Sequence, residues 1–115
     1  MKIPNLPTLA LAVFVLALIV IAGASLYFGP RIATSKIPMQ WGFDGKPTWY
    51  AARTVGLWWI EYFTVAVGLG LIALAHFSGE GKANTIWYTV IAFSIIMAAA
   101  QVWHLKAVSK WAASQ

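Results

Sequence analysis

Three apolar runs of 21 to 23 residues, at 6–28, 55–77 and 85–105, leave this 115-residue chain very few possible folds. About 20 residues at 1.5 Å rise cross a hydrocarbon core of roughly 30 Å, so each run is long enough to span a bilayer as a helix. Only helices and closed barrels satisfy every backbone group in lipid, and runs this long and continuously apolar are not barrel strands. The expected fold is an all-α membrane protein with three transmembrane helices, up-down-up. It forms a single membrane domain over residues 1–115, with an ordered loop at 30–53 between helices 1 and 2.

Composition closes the alternatives. The chain is 61% hydrophobic and 10% charged, whereas a soluble domain averages about 25% charged. A soluble fold this small has too much surface for its volume to hide so many apolar side chains. Soluble enzymes and nucleic-acid binders are therefore excluded, and so is disorder, which requires low hydrophobicity. There is no cysteine, hence no disulfide, thiolate metal site or thiol nucleophile.

Local chemistry sets the expected boundaries. Pro4 and Pro7 suit the approach and first turn of the first helix, where a missing N–H costs nothing. Gly29-Pro30 ends it, with glycine free to take a left-handed cap and proline unable to continue. Residues 78–82, Ser-Gly-Glu-Gly-Lys, form a short polar link, and Asn84 stands as the N-cap of the third helix. So short a link makes helices 2 and 3 an antiparallel hairpin. Ala22-Gly23-Ala24 resembles a signal cleavage site, but the apolar stretch before it is longer than a usual signal core, so an uncleaved anchor is expected. Small residues at Ala66, Gly70 and Ala73, and at Ser94 and Ala98, are expected to form helix–helix seams, since small side chains let backbones approach closely in lipid.

The two ends differ in charge and in tryptophan. Arg31, Lys36, Lys46, Arg53, Lys106 and Lys110 fall on the side of the long loop, against Lys2 and Lys82 on the other. Positive charge marks the cytoplasmic side, which places loop 30–53 and the C-terminus in the cytoplasm and the N-terminus outside. Trp41, Trp49, Trp58, Trp59, Trp103 and Trp111 share that end, leaving Trp87 alone at the other. Indole settles at headgroup depth, so the ordinary reading is an interfacial belt.

The stretch Ile37-Pro38-Met39-Gln40-Trp41-Gly42-Phe43-Asp44-Gly45-Lys46-Pro47-Thr48-Trp49 is the most distinctive. Asp44-Gly45 is a turn pair stiffened on either side by Pro38 and Pro47, so a compact, non-helical loop is expected, with Trp41 or Trp49 packed on the helix ends. An Ile-Pro, two residues, an aromatic, then Asp-Gly-x-Pro and a basic residue downstream, here Arg53, resembles a short bacterial membrane domain of unknown function. That domain also forms the N-terminal part of the SdpI-type immunity proteins, which protect cells against the sporulation-delaying toxin. The resemblance covers roughly residues 8–60 and places the motif just after a first transmembrane helix, as here. Gln40 departs from the histidine common in that family, and the immunity proteins carry several further spans.

Glu61 is the clearest anomaly, an ionisable group about 9 Å into a span at 1.5 Å per residue. Such a group costs something like 2.5–3.5 kcal/mol on insertion scales and generally has a partner. Helix periodicity puts Glu61 and Thr64 on one face of the second helix, and Ser94, Met97, Gln101 and His104 on one face of the third. Because these helices run antiparallel, Glu61 and Gln101 lie at similar depth. Glu61 is therefore expected to face inward and contact Gln101, His104 or a basic loop residue.

No catalytic or metal-ligating constellation is visible, so neither enzyme activity nor a cofactor is expected. His76 and His104 sit at opposite ends of the bundle. One chain cannot close both on a single haem, though either could give one ligand to a haem or bacteriochlorophyll shared with a partner. The leading expectation is an accessory or stabilising subunit of a larger inner-membrane complex, contacting lipid and partner subunits. The alternatives are an immunity or sensor protein against a membrane-active toxin, which the resemblance implies, and a proton- or ligand-handling oligomer built on Glu61.

Overall fold

The computed structural model describes residues 5–115, so the expectations for Lys2 and Pro4 lie outside the described residues. Helix α1 (Leu6–Phe28) ends in a 3₁₀ turn (Gly29–Arg31), followed by strands β1 (Lys36–Trp41) and β2 (Pro47–Ala52), helix α2 (Arg53–His76) and helix α3 (Glu80–Ala113). All three helices are long and apolar enough to cross a membrane. The side chains facing away from the bundle are themselves large and apolar: Leu16, Ile19, Leu26, Leu69, Leu74, Ile95 and Ile96 are each more than half exposed. A bundle in water would carry polar groups there. This outer surface is suited to hydrocarbon.

The buried positions of α1, namely Leu6, Ala10, Phe14, Ala17, Ile21 and Ala24, recur every three or four residues and run mainly along α3. Those of α3 (Trp87, Val90, Ser94, Gln101, Leu105, Val108) answer at the same spacing. Two apolar clusters result. One end joins Leu6, Ala10 and Phe14 to Ala75, Trp87 and Val90. The other joins Ala24, Ile32, Ile37, Leu57, Leu105 and Val108, with Trp41, Trp58 and Ala112 against them. That alternation of α1, α2 and α3 ends is the up-down-up order.

Several expectations need correction. The fold is not all-α, because loop 30–53 contains a two-stranded antiparallel sheet. Thr48, Trp49, Tyr50, Ile37 and Trp41 are strand formers flanking an Asp-Gly turn, which is a hairpin signature. Gly29 stays in the right-handed region (φ −49°) and leads into the 3₁₀ turn rather than a left-handed cap. The third helix begins at Glu80 with Gly79 as its N-cap, so Asn84 lies inside it. Glu80 in the first turn suits the positive helix terminus. The same helix continues eight residues past the expected end at 105, because the polarity of Lys106 and Lys110 ends the apolar run but not the helix. Its 34 residues make about 51 Å at 1.5 Å rise, matching the molecule's longest extent of 52 Å. The expected seam fails too. Ala66, Gly70 and Ala73 are all exposed, whereas Leu57, Ile60, Thr64, Gly68 and Ala75 face the neighbours. On α3 the pair holds better, with Ser94 buried and Ala98 half-buried.

In the hairpin, Lys36, Ile37 and Pro38 pair with Ala52, Ala51 and Tyr50. Gln40 then pairs with Trp49 and Trp41 with Pro47, leaving irregularities at Met39 and Thr48 that offset each other. Gly42 N–H donates to the Lys46 carbonyl (2.8 Å) and Gly45 N–H to the Gly42 carbonyl (3.0 Å). Asp44 Oδ1 accepts the Lys46 N–H at 3.0 Å. Gly45 sits at φ +78°, where a Cβ costs about 1–2 kcal/mol. Gly45→Ala should therefore weaken protection of the β1–β2 amides in hydrogen exchange by roughly five- to thirtyfold. Gly45→Asn should cost less. Equal losses for the two would mean that φ is not what selects glycine.

Candidate functional site

The features that depart from a plain lipid-facing bundle gather at the end bearing the hairpin. The first is a buried polar junction of three helices. Ser25 Oγ of α1 donates to the Leu57 carbonyl of α2 at 2.6 Å. Gln101 Nε2 of α3 donates to Ser25 Oγ (2.8 Å) and to the same Leu57 carbonyl (3.2 Å). Gln101, Ser25 and Thr64 are all buried. Polar pairs across membrane helices stabilise by about 0.6 kcal/mol on average and up to about 1.7. Gln101→Leu should therefore lower the stability of the detergent-solubilised protein by about 1 kcal/mol, while Ser25 keeps its own bond to the Leu57 carbonyl. Combined with Ser25→Ala, its loss should be less than additive. Thermal unfolding of the two single variants and the double checks this, and strict additivity would refute the junction.

Ser25 was not among the sequence candidates. Its signal was present as a lone hydroxyl near the end of an apolar run, at a depth comparable with Gln101, but serine is common enough in transmembrane helices to pass as neutral.

The structure separates the expected quartet into one connected residue and three without bonds. Gln101 is linked as above. Glu61 Oε2, Thr64 Oγ1, Gln101 Oε1 and His104 Nε2 are buried atoms with no hydrogen-bond partner among the described residues. The expected hydrogen bond from Gln101 or His104 to Glu61 is not made among the described residues, and neither is an ion pair. Arg53, the basic residue that could have folded back to Glu61, is committed elsewhere. Ser94 Oγ donates to the Val90 carbonyl one turn earlier (2.6 Å). His76 lies at the opposite end of the bundle from His104, its ring edge-on to Trp87 with centroids 5.5 Å apart.

Arg53 opens α2 and fastens the hairpin to α1. Its guanidinium donates to the carbonyls of Gly29 and Ile32, with Thr34 O at 3.5 Å, and its backbone N–H donates to Ser35 O at 3.2 Å. The last carbonyls of a helix lack intrahelical donors and carry partial negative charge, so a planar, multi-donor cation meets both needs. The other motif residues also have structural duties. Pro38 is buried opposite Tyr50. Gln40 Oε1 accepts the indole N–H of Trp49 (3.1 Å), while its carbonyl accepts Thr48 Oγ1 (3.2 Å). Trp41 packs on the cluster containing Leu105 and Val108, as expected for one of the two tryptophans. Ile37 approaches α2 so closely that a Cβ at Gly56 would lie 2.6 Å from the Ile37 Cβ.

Several recesses open among the six tryptophans at the hairpin end, two of them larger than the others. One, of about 510 Å³, lies towards α3 between Trp41, Gly45, Trp103, Ala107, Lys110, Trp111 and Ser114. The other, of about 530 Å³, lies towards α2 between Met39, Gln40, Trp49, Val55 and Trp59. At the hairpin tip Phe43 is fully exposed, and Trp49, within β2, is half exposed. Among the described residues no group of three or more His, Cys, Asp or Glu could hold a metal ion. Comparison of the chain with family models, with curated proteins and with solved structures gives no match.

Proposed function

We propose that this chain is an accessory or stabilising subunit of a larger inner-membrane assembly and docks through its hairpin end. The observation that carries the reading is the fastening of the hairpin. A strand pair whose motif residues are spent on a turn, a cross-strand lock and an arginine clamp is a rigid platform, and it holds Phe43 and Trp49 out in the open. Aromatic anchors on a preorganised support are the usual currency of protein recognition. The charge asymmetry of six basic residues against two supports a cytoplasmic position for the hairpin and the C-terminus. Extraction of native membranes in mild detergent, followed by native gel electrophoresis, tests this reading. The protein should migrate in a complex much larger than itself, and migration only as a free 12.6 kDa chain in its micelle would count against it.

A second reading, proton or ligand handling by an oligomer, is favoured by Glu61, whose buried Oε2 has no partner among the described residues. Glu61→Gln should then abolish a pH-dependent transport signal in proteoliposomes. The resemblance to the SdpI-type domain supports a third, immunity to a membrane-active toxin, which a deletion strain as resistant as its parent would remove. In this account the motif residues shared with that domain build the hairpin rather than perform the protection.

A further inference from the structure

We propose that the recess between the hairpin and the end of α3 binds an anionic phospholipid, held by its phosphodiester group; the proposal rests on the reading that the three helices span a bilayer. The walls are apolar and aromatic, formed by Trp41, Trp103, Ala107 and Trp111, and Lys110 stands among them. Trp111 is held in place from the hairpin side by Tyr50, with ring centroids 5.8 Å apart. Lys106, one turn before Lys110, flanks the same face of α3.

The donors here have nothing to donate to. The ammonium groups of Lys106 and Lys110 and the indole N–H groups of Trp103 and Trp111 make no hydrogen bond or ion pair with another described residue. No carboxylate side chain lines the recess. Asp44, the nearest acid in the hairpin, turns Oδ1 onto the Lys46 N–H of its own turn. The arginines of this end are spent, Arg31 on the Tyr27 carbonyl at 2.6 Å and Arg53 on the carbonyls of Gly29 and Ile32. Lys110, in the wall of a tryptophan-lined recess of about 510 Å³, and Lys106, one helical turn from it, are thus uncompensated cations.

A phosphodiester supplies the missing charge and acceptors, and its glycerol and first acyl carbons fill the apolar walls. A free phosphate could accept the indole N–H groups but has nothing to set against the apolar faces of three indoles, and a zwitterionic lipid brings its own cation to compete with the lysines. Juxtamembrane basic residues attract anionic lipid by an amount equivalent to about fivefold in affinity per lysine.

Native mass spectrometry of the purified chain in detergent tests this with phosphatidylglycerol and phosphatidylcholine of identical acyl chains, added in equal amount. The wild-type protein should retain phosphatidylglycerol well over fivefold more than phosphatidylcholine. The Lys106→Gln/Lys110→Gln variant should fall to near parity, Lys106→Arg/Lys110→Arg should keep the preference, and Lys82→Gln, at the other end, should be unaffected. Inorganic phosphate in excess should not displace the lipid. Both lysines are exposed, so the variants should fold, and equal helicity by circular dichroism verifies it. Undiminished preference in the double glutamine variant overturns the proposal. So does displacement by inorganic phosphate alone, which would make this a free-anion site. Equal retention of the two lipids by the wild type also overturns it and leaves the recess to an acidic protein segment. The docking reading concerns Phe43 and Trp49 across the hairpin, so each proposal can fail without the other.

Discussion

Replacing Arg53 by methionine is expected to cost about 2–4 kcal/mol of stability, because hydrogen bonds to a charged donor contribute about 1.5–3 kcal/mol and the carbonyls left behind are partly buried. The methionine preserves the apolar stem, so the loss isolates the guanidinium. The Ile32 carbonyl would lose its guanidinium donor, the Gly29 carbonyl would keep only the Ile32 N–H (3.1 Å), and the entry to α2 would lose its side-chain tie to the end of α1. The hairpin should loosen before the helices do, with β1–β2 amides exchanging much faster while amides of α1 near Phe14 change little. Arg53→Lys should recover less than half of the loss, since a single ammonium cannot reach several diverging carbonyls in a fixed plane. Hydrogen exchange and thermal unfolding in the same detergent measure both effects. A lysine variant as stable as wild type would show that charge alone, not the fork, is what this position supplies.

The second large effect is expected at Gly68. A Cβ there would overlap Cε1 and Cζ of the Phe14 ring and lie 3.1 Å from its Cδ1. An aromatic ring buried between two helices cannot swing aside as a flexible chain end does. Gly68→Val should therefore cost about 3 kcal/mol or more, at the upper end of overpacking penalties. Phe14→Leu in the same chain should restore part of it, a coupling that only direct contact produces. The control is two residues away. Among the described residues nothing lies within 4 Å of a Cβ added at Gly70, so Gly70→Ala should leave the stability within the change expected of an ordinary surface substitution, about 0.5 kcal/mol. The reverse order would place the helix seam on the Gly70 stripe.

That pair of glycines shows what could be read from the residues and what could not. Length and apolarity fixed the three helices, because a bilayer leaves a chain almost no other way to satisfy its backbone. The inner face of α2 was not legible, because in lipid both faces are apolar and hydrophobic periodicity loses its meaning. Small residues recur at a helical spacing on the stripe of Ala66, Gly70 and Ala73, which points outward, while only Phe14 of another helix reveals that Gly68 points inward. At the candidate site, Gln101 was legible as a polar group that must be satisfied, but its partners were not. The hydroxyl of Ser25 and the Leu57 carbonyl are undistinguished in sequence, and a backbone carbonyl cannot be read as a partner at all. Arg53 was visible as a motif residue, and its duty was not, since capping the end of another helix depends on where the hairpin returns the chain. The end of α3 was missed because apolarity measures only the continuous apolar run, whereas the helix goes on beyond it to meet the hairpin through Val108 and Trp111.

We propose the fastened hairpin as a recognition platform for another membrane protein. The chain lacks cysteine, and its exposed aromatic tip offers a direct probe. A photo-crosslinking amino acid placed at Phe43, and separately at Trp49, should yield the same discrete protein adduct in native membranes. The adduct should disappear when Arg53→Met is added, and a probe at Leu16, on the exposed apolar face of α1, should not produce it. Lipid adducts alone from positions 43 and 49, or an adduct that persists undiminished without the Arg53 clamp, would contradict the account.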